Sequence, residues 1–367
     1  MYSINFIWYF LMNRLYGLDL LRSLLIIEGV FYHASLIISP TKWTYSSNIY
    51  NSNLYGLIFQ FFHLFRMENF FILSGFFSLL LIKNKGFTYF KEIRIKKLII
   101  PFLILFIIIG IPQYIYVRNI SSMDFSYANI LSHLWFLETL TLISLFHFFL
   151  ISKKVNINIF FILVLILIYF LSGPISGIIG KLLPAIHWSL KNFLSFSFFY
   201  FFGVFFYENK DLIFNLIKEK MMYLLAITIA STIVVLINLY NTYIIMDYNY
   251  YLSNLKFMDK YIHLYLEIPF LKILSSLGIS LLLIFFFSKI NINNYIINLI
   301  VKAALPIYVF HHPFVVFFGY SLDNLGLDIN VYFLLISILS LIVSIGIYII
   351  FKDSKPFNFI FGLRNIK

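Results

Sequence analysis

The chain has 367 residues, of which 62% are hydrophobic and only 11% charged, and its mean hydropathy is +0.93. These values exclude a water-soluble domain, and repeated apolar runs of about 18 residues or more predict a polytopic, all-α membrane protein rather than a barrel of short alternating strands. The absence of cysteine excludes disulfides, thiolate metal sites and a cysteine nucleophile. The net charge of +12 resembles that of a nucleic-acid-binding protein, so the positions of the basic residues matter.

Hydropathy predicts ten membrane-spanning helices that form one integral membrane domain over residues 1–367. The predicted spans are residues 18–38, 57–82, 98–117, 130–151, 157–172, 192–207, 221–240, 268–288, 297–319 and 330–351. The fifth and sixth are short for a bilayer, which predicts little tilt or a partly re-entrant path. Residues 1–13 are apolar but lack a charged start and a small-residue cleavage site, so we interpret them as a segment on the membrane surface or a dispensable extension.

The distribution of basic residues predicts that both termini lie in the cytoplasm. With this orientation, seventeen Lys and Arg residues fall on cytoplasmic segments and six on exterior loops, and residues 352–367 form a cytoplasmic tail. Membrane topology then explains most of the positive charge, and no nucleic-acid partner is predicted. The longest exterior loops, about 39–56, 173–191 and 241–267, carry Tyr, Trp, Asn and Ser, which suit either an entrance for a polar acceptor or interfacial connectors.

The first predicted helix carries ionisable side chains, although such groups are costly at membrane depth and usually have a function. They are Asp19, Arg22, Glu28 and His33. Arg22 and His33 are eleven residues apart, which at about 100° per residue places them on one helix face, separated by about 16 Å along the axis. The helix therefore presents a fixed cation toward one side of the membrane and a titratable imidazole toward the other.

Three further spans place polar residues at a depth similar to that of His33. These residues are His63, Arg66, His133, Glu138, His311 and His312. We predict that they form one constellation, although a single histidine is also compatible with a helix–helix hydrogen bond, and Arg66 with snorkelling or with pairing to Glu68 or Glu138. No histidine or carboxylate cluster has the spacing of metal ligands, so no metal site is predicted, and a Ser-His-Asp triad cannot be assigned.

Two other features lie toward the predicted cytoplasmic side. The small pair Ser74-Gly75 in the second span permits close approach of either another helix or a ligand to the backbone. A basic cluster precedes Pro101 and comprises Lys91, Arg94, Lys96 and Lys97. This cluster is a topology signal and an anchor for lipid headgroups, and it is also well placed to hold a phosphorylated cytoplasmic donor.

Five motifs follow one another along the chain. They are GLDLLRSLLIIEGVFYH (17–33), HLFRMENFFILSGFF (63–77), RIKKLIIPF (94–102), LWFLETL (134–140) and IYVFHHPF (307–314). Together they resemble the acyltransferase-3 family of integral membrane acyltransferases over nearly the whole chain, and the last two are similar to the branch that includes glucan O-succinyltransferases. His311 matches the family histidine, whereas His312 replaces a residue that is commonly Gln. Glu68 also departs from the family, which more often has an apolar residue or Pro there.

The resemblance implies transfer of an acetyl or succinyl group from a cytoplasmic acyl-CoA to a hydroxyl of an extracytoplasmic or lipid-linked glycan, at a bacterial inner membrane and without a tightly bound cofactor. A hydroxyl needs a base to attack a thioester, and His33 is expected to supply it. Arg22 would bind the donor phosphate or carbonyl, and Arg66 would stabilise the oxyanion or hold a donor carboxylate. His311 would orient the acceptor or share the proton relay. Glu138 would fix a histidine tautomer or pair with Arg66.

The donor site is expected to include Arg22, Ser74, Arg94, Lys96 and Lys97, and the expected partners are acyl-CoA, a glycan and membrane lipids. Two other functions remain open from the sequence. A transporter or flippase of a lipid-linked sugar would move its substrate without changing it chemically, and the lack of evident internal repeats counts against it. A non-catalytic scaffold for polymer assembly would not require Arg22 and His33 to share a helix face.

Overall fold

Ten helical segments that are long and apolar enough to cross a membrane make up most of the structure, a computed structural model that describes residues 15–40, 43–121, 124–240, 268–292 and 294–363. They are α1 (Tyr16–Ile37), α2 (Asn53–Lys85), α3 (Phe87–Ser121), α4 (Tyr127–Ser152), α5 (Ile159–Leu182), α6 (Pro184–Glu208), α7 (Met221–Tyr240), α8 (Ile268–Phe287), α9 (Ala304–Leu322) and α10 (Ile329–Phe351). Shorter helices span Lys210–Glu219, Tyr295–Lys302 and Lys355–Ile360. The described chain contains no strand, so the predicted all-α polytopic bundle is confirmed.

Two expectations about helix length and loops are wrong. Helices α5 and α6 have 24 and 25 residues and are therefore not short for a bilayer. Helix α5 continues through Gly173 and Pro174, because a membrane helix tolerates an internal proline where the rest of the backbone stays satisfied. The predicted exterior loop at 173–191 is consequently almost all helical, whereas residues 1–13, the predicted loop at 241–267 and the last four residues of the predicted tail lie outside the described residues.

Helix α3 is continuous from the basic cluster into the membrane, but two π-helical turns interrupt its α-helical pattern. These turns cover Ile95–Ile99 and Phe106–Gly110, and each is followed within two residues by a proline, Pro101 or Pro112. A proline lacks the N–H of a regular helical hydrogen bond, and a wider turn just before it redistributes the remaining donors. The basic cluster therefore lies on a helix and has fixed side-chain directions.

Helices α2 and α6 cross at backbone contact distance, which places the second motif in the centre of the bundle. A Cβ atom added at Gly75 would lie 1.8 Å from the carbonyl oxygen of Tyr200, and one added at Gly203 would lie 2.0 Å from that of Ile72. Only glycine leaves room for such an approach. The Ser74-Gly75 pair thus serves helix packing at Gly75, one of the two roles that the sequence left open.

Replacing Gly75 by valine is expected to destabilise the bundle by at least about 1–3 kcal/mol, because an overpacked side chain must displace the backbone of α6. Thermal unfolding of the purified protein in detergent would show this as a lower Tm. Gly177→Val on α5 is the matched control, since a Cβ atom at Gly177 would meet no described atom within 4 Å outside the backbone of its own helix. Equal Tm values for the two variants would contradict the predicted close crossing.

The segment between α1 and α2 is tied to the beginning of the α9–α10 connection. Tyr45 donates a hydrogen bond to Asp323 at 2.7 Å, and Ser47 donates to the other oxygen of the same carboxylate. Tyr332 of α10 donates to the carbonyl of Gly319 at 2.8 Å. These bonds hold the segment over the bundle and fix the position of Trp43, which packs against the candidate site.

Candidate active site

Four histidine rings from three helices meet inside the bundle. The ring centroid of His33 on α1 lies 5.2 Å from that of His311 and 5.0 Å from that of His312, both on α9. His133 of α4 stacks on His312 with the centroids 4.5 Å apart, and Trp43 stacks on His33 at 5.3 Å. The residues that the sequence placed at similar depth on separate helices are therefore neighbours in space.

Main-chain hydrogen bonds restrict two of these rings. Nε2–H of His133 donates to the carbonyl of Val309 at 2.9 Å, and Nδ1–H of His311 donates to that of Ile307 at 2.8 Å. His33 has no such bond to a main-chain carbonyl, and its buried Nδ1 has no hydrogen-bond partner among the residues that the structure describes. Among the described residues, no bond to a main-chain carbonyl therefore fixes the tautomer of His33.

His312 has a partner that sequence analysis missed. Gln113 of α3 donates from Nε2 to Nδ1 of His312 at 2.5 Å. Gln113 lies within a predicted apolar span, and a polar side chain buried in a membrane needs a partner. This residue could therefore have been predicted to contact another polar group. Within the described ranges, no group of three or more His, Asp or Glu side chains is arranged to hold a metal ion.

Arg66 is buried on α2 and held by groups from α1 and α2. Its Nε lies 3.2 Å from Oε2 of Glu28, and its Nη2 lies 3.1 Å from Nδ1 of His63. The guanidinium also lies over the ring of Tyr32, 4.6 Å from the centroid. A Cβ atom at Gly29 would lie 2.7 Å from Nη1, so this glycine makes room for the side chain. The arrangement fixes one cation directly beside the histidine cluster.

The ion-pair partner of Arg66 is Glu28, rather than Glu68 or Glu138 as expected from the sequence. Glu138 instead accepts hydrogen bonds from Tyr127 and from Ser189 of α6, each at 2.8 Å. It lines neither of the two cavities described below and contacts no histidine through these bonds. Glu138 therefore holds α4 against α6.

Two cavities reach the histidine cluster from opposite ends of the bundle. The first, of about 460 Å³, is lined by the middle of α1, the second half of α2, the first turns of α3, α4 and α9, and the segment Phe361–Leu363. The second, of about 590 Å³, is lined by the first turns of α4, α6 and α8, the middle of α2 and α5, and the end of α1. Four residues line both cavities: His33, Arg66, His133 and Trp135.

The first cavity brings together most of the residues that the sequence assigned to a donor. Arg22 and His33 both line it, which agrees with their predicted common helix face. Ser74, Arg94 and Lys97 line it as well, and so does Lys302, which sequence analysis did not assign to the site. Lys96 does not, because its side chain points outward and pairs with Glu92 at 2.5 Å on the surface of α3.

Arg94 is fixed in the wall of the first cavity by a hydrogen-bond network. Its Nη2 donates to the carbonyl of Ser74 at 3.1 Å and to the hydroxyl of Ser78 at 2.5 Å. Tyr200 of α6 donates to the same Ser78 hydroxyl at 2.9 Å and lies 2.9 Å from Nδ1 of His147. This network joins α2, α3, α4 and α6 and sets the direction of the guanidinium.

A comparison with known families decides the classification, because the model of the acyltransferase domain, acyltransferase-3, matches residues 15–349. The chain belongs to the acyltransferase-3 family. Curated relatives include glucans biosynthesis protein C of Escherichia coli (strain K12), 30% identical over 146 residues that cover 36% of this chain and 37% of the relative. The protein of the same name from Salmonella typhi is 29% identical over 144 residues, with the same shares. The chain thus aligns with little more than a third of these relatives, and no solved structure matches it.

The acyltransferase-3 motifs converge at the two cavities, although they are far apart in the chain. The first motif supplies Arg22 and His33, and the second supplies Arg66. His312 completes the histidine cluster, and both His312 and Glu68 line the second cavity.

Proposed function

We propose that the protein is a membrane O-acyltransferase that moves an acyl group from acyl-CoA in the first cavity to a glycan hydroxyl in the second. The observation that carries this proposal is that His33 and Arg66 line both cavities. A donor thioester and an acceptor hydroxyl that enter from opposite ends would meet at the same imidazole. Family membership supports the acyl-transfer chemistry.

The first cavity has the charge and shape that acyl-CoA requires. Arg22, Lys97 and Lys302 supply cations at one end, which suits the phosphate groups of the donor. Between this end and His33 the walls are largely apolar, with side chains such as Phe77 and Leu25. The separation of about 16 Å between Arg22 and His33 along α1 suits a long donor whose thioester lies far from its phosphates.

The proposed reaction is a direct transfer. The acceptor oxygen attacks the thioester carbonyl while His33 takes the hydroxyl proton, so that a C–O bond forms and a tetrahedral oxyanion develops. Arg66 stabilises this oxyanion, because its guanidinium is already fixed and needs no reorganisation during the reaction. Collapse of the intermediate breaks the C–S bond, and the imidazolium of His33 returns its proton to the leaving thiolate.

The acceptor is proposed to be an extracytoplasmic or lipid-linked glycan. The printed name of the relatives, glucans biosynthesis protein C, supports a glycan. The excess of Lys and Arg on one set of loops supports an orientation with both termini in the cytoplasm of a bacterial cell and the first cavity open to cytoplasmic acyl-CoA. Acetyl and succinyl groups are both compatible with the site, since Arg66 suits an oxyanion or a donor carboxylate.

The proposal is tested by incubating the purified protein with acetyl-CoA or succinyl-CoA and a cell-envelope glycan fraction, and by measuring free thiol. The chain contains no cysteine, so a thiol reagent reports only the released CoA. We expect release that depends on the glycan. If no thiol is released with any of the donors and glycan fractions, that result would contradict acyl transfer. It would favour the transport of a lipid-linked sugar through the two cavities.

Replacing Arg22 by alanine is expected to raise the KM for acyl-CoA by about tenfold or more, because a charge-assisted hydrogen bond contributes about 1.5–3 kcal/mol. The value of kcat should change less, since Arg22 lies at the end of the first cavity remote from His33. Thiol release at varied acyl-CoA concentration measures both constants. Lys85→Ala, which removes an exposed cation at the end of α2 outside both cavities, is the control. An unchanged KM would remove Arg22 from the donor site.

A further inference from the structure

Two lysines in the second cavity have no role in the proposed transfer. Lys191 is on the first part of α6 and Lys272 on the first part of α8, and both line this cavity. Among the described residues, neither ammonium group lies within 4 Å of a carboxylate. Lys191 is exposed and Lys272 half-buried, so both ammonium groups are accessible to an anion that enters the cavity.

The charges of the described residues that line the second cavity do not balance. Arg66 also lines it, but Glu28 neutralises this guanidinium. Glu68 is the single carboxylate among the described lining residues, and it faces two lysines. One negative charge on a bound ligand would complete the balance. The first cavity differs, because its described lining residues include Arg22, Arg94, Lys97 and Lys302 but no Asp or Glu.

The remaining lining groups suit a saccharide. Three of the four tryptophans of the chain, Trp43, Trp135 and Trp188, line the second cavity, and flat aromatic faces pack well against the C–H faces of sugar rings. Oε2 of Glu68 and Nδ2 of Asn192 are buried and have no hydrogen-bond partner among the described residues, with the two residues 4% and 7% exposed. One accepts and the other donates, which matches the two hydrogen-bonding roles of sugar hydroxyls.

We propose that the second cavity binds an acceptor saccharide that carries a negative charge, a carboxylate or a phosphate, and that Lys191 and Lys272 bind this charge. The assignment of the cavity to the acceptor rests on the proposed acyl transfer, whereas the binding itself does not require turnover. Tryptophan rings and the Glu68 and Asn192 groups contact the sugar, and the lysines select the anion. Lys is suited to this role as a point charge that accepts either anion.

Intrinsic tryptophan fluorescence tests the binding directly, since three of the four tryptophans line the cavity. The probes are a neutral cello-oligosaccharide and the same oligosaccharide oxidised to the uronate at C6, added to the full chain in a neutral detergent. We expect the uronate to bind about tenfold more tightly or better, and salt to reduce the difference. The double variant K191Q/K272Q should lose the preference and K191R/K272R should keep it. K181Q, which removes an exposed cation outside both cavities, is the control.

Four results would overturn the proposal. The first three are equal affinity for the two probes, no saturable fluorescence change with either probe, and a preference for the uronate that survives K191Q/K272Q. The fourth is a lysine-dependent fluorescence change of the same size on adding phosphatidylglycerol, which would assign the bound charge to a lipid headgroup. Thiol release measured on the same preparations keeps the two proposals separate. Uronate binding without any thiol release contradicts acyl transfer alone, and release that ignores acceptor charge contradicts the anionic acceptor alone.

Discussion

Replacing His33 by alanine is expected to lower kcat/KM for acyl transfer by about 100- to 10,000-fold, the usual contribution of a general base. His33 lines both cavities, and within the described part of the chain no main-chain hydrogen bond restricts its ring. His133 also lines both, but it is bonded to Val309 and stacked on His312. Of the other two histidines in the cluster, His311 lines only the first cavity and His312 only the second, so His33 is the proposed base.

The measurement is glycan-dependent thiol release with saturating acyl-CoA, at equal protein concentration and with Tm recorded for each variant. His187→Ala is the matched control, because His187 lies at the beginning of α6 and lines neither cavity. The ring of His33 packs against Trp43, His311 and His312, so the Tm of the variant shows how much the loss of this packing contributes. Retention of most of the wild-type rate by His33→Ala would show that the base is another group.

Replacing Arg66 by methionine is expected to have two separable effects. The rate should fall by about 100- to 1,000-fold, the loss observed when one oxyanion donor is removed. The protein should also lose about 3–5 kcal/mol of stability, because Glu28 would remain buried without its countercharge. The double variant Glu28→Gln/Arg66→Met removes that unpaired charge, so it should recover Tm but not activity.

Thiol release and thermal unfolding on the two single variants and the double variant test this prediction. Recovery of activity together with Tm would mean that Arg66 only stabilises the bundle. The two donors then distinguish the two chemical roles of Arg66. A loss that is equal for acetyl-CoA and succinyl-CoA indicates oxyanion stabilisation, and a loss confined to succinyl-CoA indicates that Arg66 holds the donor carboxylate.

Several features were predictable because they depend on local sequence. An apolar run long enough to span a bilayer is a property of one segment, and ten such runs predicted ten helices. The common face of Arg22 and His33 follows from helical periodicity alone, and both residues do line the first cavity. The predicted fifth span ended at 172 and the sixth began at 192, whereas α5 continues through Gly173 and Pro174 to Leu182 and α6 begins at Pro184.

The contacts between helices could not be predicted in the same way. Glu28 and Arg66 lie 38 positions apart on different helices, and nothing in their spacing shows that they pair. Glu138 was an equally good partner in the sequence, but α6 brings Ser189 to it instead. Lys96 and Lys97 are adjacent in the sequence, yet the helical path of α3 places only Lys97 on the first cavity.

The amino-acid sequence by itself determined the number of membrane-spanning segments and the family, because hydropathy and motif order are read along the chain. Tertiary structure alone decided that two cavities exist, that they share His33 and Arg66, and that Lys191 and Lys272 face one of them. Cavities form where helices do not fill the space between them. Their shape therefore depends on how all the helices pack, and no single segment contains that information.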